Sequence, residues 1–134
     1  MRMRLLLSLL AALILACPAF AQSDFKIGVV ASLSGGFASA ATDENAGVLA
    51  WVKARGLPGR KIVFETLDDE TNPVNAINAF RRVASDPSVM LIYALTNSNS
   101  AMAIKSIAAE FKVPIVSSGA VESLGVPADP WLFK

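Results

Sequence analysis

The sequence predicts an α/β fold: a three-layer, doubly wound parallel sheet built in the order βαβαβαβ. Three observations carry this reading. Short, near-continuous apolar runs recur four times, as strands buried on both faces do. Segments between them space their apolar residues at helical intervals. The junctions are marked by Gly, Pro, Asn and Asp, residues that turn or cap a chain. Strands joined through helices are parallel, and right-handed crossovers lay the helices on both faces.

The first strand is expected near 26–32, on Ile27, Val29 and Val30, with Ser34-Gly35-Gly36 breaking it. A helix near 42–55 follows, with Thr42 as its cap, Asp43 and Glu44 in its first turn, and Val48, Leu49 and Val52 on its apolar face. Gly56 suits its left-handed end, and Pro58-Gly59 is a turn. Ile62, Val63 and Phe64 carry a second strand near 62–67. Asn72-Pro73 opens a second helix near 73–85, whose apolar spacing is Val74, Ile77 and Phe80. A third strand is expected near 89–94 and a third helix near 100–111. Ile104, Ile107, Ala108 and Phe111 form the cleanest helical stripe in the chain. A fourth strand near 114–117 completes the set in the spatial order 2-1-3-4, and Val121 to Lys134 reads as irregular.

Composition narrows the function. Hydrophobic residues make up 54% of the 134 and charged residues 17%, too apolar for a disordered chain and enough for one domain. Without Arg2 and Arg4 the chain carries ten basic and eleven acidic residues, and no basic patch interleaves with aromatics, so nucleic acid is not an expected partner. There is no histidine, which removes the commonest general base and metal ligand.

The first 21 residues read as an export signal: Arg2 and Arg4, an apolar run from Leu5 to Ala16 broken only by Ser8, and Ala19-Phe20-Ala21 as the cleavage site. The run is too short to span a bilayer comfortably. A lipidated Cys17 is the weaker alternative, disfavoured by Pro18 directly after it. Cleavage at Ala21 leaves residues 22–134 without cysteine, hence without a disulfide, in the periplasm, and no membrane span is expected after it.

In parallel sheets ligands bind beyond the carboxyl ends of the strands. Those ends are Ser32 to Phe37, Asp68 to Thr71, Leu95 to Ser100 and Ser117 to Val121. Three of the four are rich in hydroxyls, amides and glycine, which bind a carboxylate without a formal cation and serve equally well as turns and caps. Ser34 and Phe37 are the candidates from the first loop. Asp68-Asp69-Glu70 is one short acidic run with no distant partner, so it reads as a solvated loop, and Asp69 is expected to matter less for binding than Ser98. No nucleophile elbow, Walker loop or dinucleotide fingerprint is present. No catalytic residue, metal or cofactor is expected.

Ile27-Gly28-Val29-Val30 followed by Leu33-Ser34-Gly35 resembles the opening of the branched-chain amino-acid type of ABC-transporter substrate-binding protein. The likeness continues through Leu57 to Ile62, Asp68-Asp69, Asn72-Pro73, Asn97-Ser98, Val113 to Ser117 and Trp131 to Lys134, and covers residues 25–134. It implies the type I periplasmic binding fold, two lobes closing on a small ligand, and ABC permease subunits as partners. The chain would supply the first part of lobe 1, with the second lobe absent. By this similarity Ser98 stands where a hydroxyl meets the ligand carboxylate, with Asn97 beside it. Ser117, Gly119 and Ala120 match a second binding loop. Val121 replaces a threonine common in amino-acid binders and cannot donate its hydrogen bond, which leaves room for a carboxylate lacking an ammonium group. The resemblance implies an import component for a branched-chain amino acid or related carboxylate. A ligand-sensing domain for amides or aromatic acids, signalling to a receptor or regulator, shares the fold and is the alternative.

Overall fold

The computed structural model describes residues 24–134. The export signal, its cleavage at Ala21 and the alternative at Cys17 fall outside the described residues.

Among the described residues five strands form one parallel sheet: β1 (Phe25–Ala31), β2 (Ile62–Asp68), β3 (Val89–Leu95), β4 (Ile115–Ser117) and β5 (Leu132–Phe133). Their order is β2-β1-β3-β4-β5, so the expected order of the first four holds and a fifth strand is added. β1 lies between β2 and β3, with Ala31 opposite both Asp68 and Leu95. It is the most completely buried strand, and Ile27 to Ala31 are all buried, which is why it is apolar at successive positions rather than alternate ones. The helices are α1 (Ala38–Arg55), α2 (Pro73–Ala84) and α3 (Ser98–Phe111).

The two faces of the sheet are filled unequally. Under α2 and α3 lies the larger core, with Val30, Phe80, Val83, Ile92, Ile104 and Ile115 buried and Phe80 meeting Phe111 edge-on at 5.4 Å. On the other face, among the described residues, only Ile27, Val29 and Ala31 form a buried cluster. There α1 leaves Trp51 64% exposed over a groove lined by Ile27, Val52, Phe64, Leu91 and Tyr93. Tyr93 donates to Glu44 of α1 at 3.1 Å. Burial, then the charge of Glu44 and this hydrogen bond, push the Tyr93 phenol up to about 12.

Four local expectations are corrected. The first helix starts at Ala38 after a 3-10 turn over Gly35–Phe37, so Thr42 is not its cap and no acidic residue lies in its first turn. The acceptor at this end is not local: Phe37 N–H donates to the hydroxyl of Thr71, in the loop after β2. Val74 faces solvent at 65% exposure, and α2 instead buries Ala76, Ala79, Phe80, Val83 and Ala84. The helix sits close to β1 at Gly28, where an added Cβ would lie 2.9 Å from Val83. α3 begins at Ser98 rather than near residue 100. The tail is not irregular throughout. It holds a 3-10 turn at Glu122–Leu124 and β5, whose Leu132 pairs with Ile115 and is buried. Gly56 ends α1 at φ 59°, and Asn72 caps α2 by accepting from Val74 N–H and Asn75 N–H, both as expected.

Candidate functional site

Parallel strands place all their C-terminal loops along one edge of the sheet. Because β1, β3 and β4 are neighbours, the loops carrying Ser34 and Phe37, Asn97 and Ser98, and Ser117 to Val121 are neighbours too.

The β1 loop is shaped by the β2 loop. Asp68 is exposed and its Oδ1 accepts from Leu33 N–H at 2.9 Å, Ser34 N–H at 3.2 Å and Glu70 N–H at 2.8 Å. Partial burial pushes this carboxyl up, but the donors of Ser34, Glu70 and Leu33 together outweigh it, and the net shift is downward. Thr71 donates its hydroxyl to Ser34 O at 2.7 Å and accepts from Phe37 N–H at 3.2 Å. Gly35 sits at φ 79°, and a Cβ there would lie 2.6 Å from the Glu70 carbonyl oxygen, so the approach of the two loops requires glycine. Ser34 is exposed and Phe37 half-buried.

The β3 loop runs straight into α3. Asn97 is the N-cap, its Oδ1 accepting from Asn99 N–H at 2.9 Å and Ser100 N–H at 3.2 Å while its amide donates to Ser100 Oγ at 3.0 Å. Asn97 is therefore occupied with capping. Ser98 is the first helical residue, half-exposed, and its hydroxyl takes no partner among the described residues. Its backbone N–H is one of those that helix geometry leaves without an intrahelical acceptor. A 14-residue helix adds a favourable dipole for an anion here.

The β4 loop divides by role. Ser117 is buried and accepts from Gly119 N–H at 3.2 Å. Gly119 is also buried, and a Cβ there would collide with Leu124 and press on Ala101 at 3.1 Å, so this glycine serves packing. Ala120 is exposed and Val121 half-buried, and their carbonyl oxygens accept from the Lys134 ammonium at 3.0 and 3.2 Å. Of the candidate residues on this edge, Ser34 and Ala120 are exposed and Ser98 is half-exposed, with Phe37 and Val121 beside them.

One expectation about this edge is overturned. Asp69 is not solvated: it is fully buried. Its carboxylate accepts from Ser32 Oγ at 2.7 Å, from Thr71 N–H at 2.8 Å and from Thr96 Oγ1. Ser32 and Thr96 are buried as well, and neither stood out in the sequence. Asp68 and Glu70 are exposed, so the acidic run is solvated at two of its three positions. Ser32, Asp69 and Thr96 each follow directly on the last residue of β1, β2 and β3, a shared position that only the observed strand ends reveal. Among the described residues no group of three or more His, Cys, Asp or Glu is placed to hold a metal ion. No described helix is long and apolar enough to cross a membrane.

Comparison with known proteins agrees with this fold. No curated protein matches the sequence. Among solved structures, an ABC-transporter substrate-binding protein from Sphaerobacter thermophilus superposes with a TM-score of 0.77 at 26% identity, over 83% of this chain and 32% of its own. An extracellular ligand-binding receptor from Rhodopseudomonas palustris HaA2 gives 0.71 at 29% identity, over 84% and 32%. An ABC-transporter solute-binding protein from R. palustris, solved in complex with 4-hydroxybenzoate, gives 0.71 at 26% identity, over 82% and 31%. The chain therefore spans about a third of the length of the solved proteins it matches. The sequence profile described as periplasmic binding protein matches residues 24–134, and the chain belongs to that family.

Proposed function

We propose that residues 24–134 form one wall of an extracytoplasmic binding site for a small carboxylate-bearing ligand, in a solute-binding component that delivers its cargo to the permease of an ABC importer. The observation that carries this reading is the Ser98 hydroxyl, unpartnered among the described residues at the start of α3 and flanked along one sheet edge by the β1 and β4 loops. Asn97 caps the N–H groups of Asn99 and Ser100, which leaves the Ser98 hydroxyl and N–H as donors without an acceptor among the described residues, and a carboxylate supplies acceptors. Val121 offers no hydroxyl for an ammonium-bearing ligand, which favours an acid such as 4-hydroxybenzoate, the ligand of one similar protein, over an α-amino acid. The loops all lie along one edge of one sheet and so supply one wall. A small-molecule pocket buries about 70–90% of its ligand, so the chain by itself binds weakly and a second wall completes the site.

Calorimetric titration of the protein with 4-hydroxybenzoate and with L-leucine tests this. Loss of a hydrogen bond to a charged group costs about 1.5–3 kcal/mol, so Ser98→Ala weakens the preferred ligand by roughly ten- to a hundred-fold. Equal affinities for wild type and Ser98→Ala contradict the site.

A further inference from the structure

Ser32, Asp69 and Thr96 continue β1, β2 and β3 by one residue each, and the register that sets Ala31 opposite Asp68 and Leu95 brings them into one row. The two hydroxyl oxygens lie 2.8 Å apart, and each hydroxyl donates to Asp69, Ser32 to Oδ1 and Thr96 to Oδ2. The shared carboxylate thus links the ends of three strands that backbone pairing already sets side by side. It also reaches the loops beyond. Thr71 N–H donates to Oδ1, and the Thr71 hydroxyl bonds Ser34 O and Phe37 N–H. Glu70 and Thr71 stand at φ 54° and 62°, a region that residues with a Cβ rarely occupy, and their N–H groups are held there by Asp68 and Asp69. Thr96 immediately precedes Asn97 and Ser98. A buried carboxylate is costly wherever it serves packing alone, and an apolar side chain of that size would avoid the cost.

We infer that Asp69 is a positioning residue for the ligand-binding edge: it fixes the ends of β1 and β3 against each other and so sets Ser34 and Phe37 relative to Asn97 and Ser98. This rests on the site proposed above, and it assigns to Asp69 a role in affinity without contact with the ligand.

The test compares wild type, Asp69→Ala, Asp69→Asn, Ser98→Ala and, as a destabilised control away from the network, Val83→Ala. Amide hydrogen exchange needs no ligand. In Asp69→Ala the amides of Leu33, Ser34, Phe37 and Thr71 exchange at least about ten-fold faster, while those of Val30 and Ile92 stay protected; Val83→Ala shows no such selectivity. Affinity for 4-hydroxybenzoate and L-leucine, measured well below each variant's melting temperature, falls about ten-fold in Asp69→Ala. Asp69→Asn, which keeps an acceptor oxygen, lies between. If Asp69→Ala does not fold, Thr96→Val removes one donor and shows the same effects on a smaller scale. Loop exchange no faster than in Val83→Ala overturns the inference. So does wild-type affinity in Asp69→Ala while Ser98→Ala binds weakly. Wild-type affinity in Ser98→Ala shows that the site reading itself is wrong, and Asp69 then loses its role in binding with it.

Discussion

Two polar ties cross the same three strands, one at each end of β1, and they differ in what surrounds them. At the N-terminal end, Lys26 of β1 meets Glu65 of β2 at 2.7 Å and Asp86, ahead of β3, at 2.6 Å. All three side chains are between 24% and 33% exposed, so water competes with each ion pair. At the C-terminal end, Ser32, Asp69 and Thr96 join the same strands without a cation and without water access. The exposed tie tolerates loss, because water replaces any missing partner. The buried tie does not, because a deleted partner leaves polar groups with nothing to bond. A sheet edge that must hold loops in one arrangement is better served by the second kind.

Deleting the carboxylate is the largest test of that contrast. Asp69→Ala strands Thr71 N–H and leaves the Ser32 and Thr96 hydroxyls only each other, and denaturant unfolding should register a loss of about 2–4 kcal/mol. Thr96→Val removes a single donor and is expected to cost about 1–3 kcal/mol. Combined with Ser32→Ala, it should deviate from additivity, since both hydroxyls share one acceptor. Additive losses would mean that the three groups do not act as a unit.

Lys26→Met should have the smallest effect, a slight fall in melting temperature that vanishes near 1 M salt, where the screening length is about 3 Å. Its pH dependence follows from the shifts. Lys26, then Ser88, hold the Asp86 carboxyl below its ordinary range. Asp86, then Glu65, hold the Lys26 ammonium above its ordinary value. A depressed carboxyl stabilises the fold above its unfolded value of about 3.9, and that contribution is lost as pH falls through the folded value. A raised ammonium stabilises below about 10.4, and its contribution is lost as pH rises through the folded value. The difference between wild type and Lys26→Met, followed by thermal unfolding, should be flat from about pH 5 to 9 and shrink on the acid side. A difference as large as that of Asp69→Ala would erase the contrast between the two ties.

How much was legible in the sequence follows the same division between local and distant causes. The apolar runs, Asn72-Pro73, Gly56 and the stripe from Ile104 to Phe111 act within a few residues, and the four strands and the bodies of the three helices they mark are where they were expected, though two of the helices start earlier. The start of α1 was misplaced because its acceptor is the Thr71 hydroxyl, 34 residues from Phe37. β5 was missed because two residues carry no periodicity, and only pairing with β4 makes them a strand. At the site, chain order in a parallel sheet was enough to put Ser34, Ser98 and Ala120 on one edge. The burial of Asp69 was not legible, because it depends on Ser32 and Thr96, which lie 37 and 27 residues away.

The claim that this edge is the ligand's wall is tested most directly by chemical-shift mapping of the labelled protein during titration with 4-hydroxybenzoate, a measurement that reads even millimolar binding. The amides of Ser34, Phe37, Asn97, Ser98, Ala120 and Val121 should move together along one saturating curve, with Ser98 among the largest shifts. Shifts confined to the apolar groove around Trp51, Phe64 and Leu91, or a Ser98 amide that does not move at saturation, would contradict it.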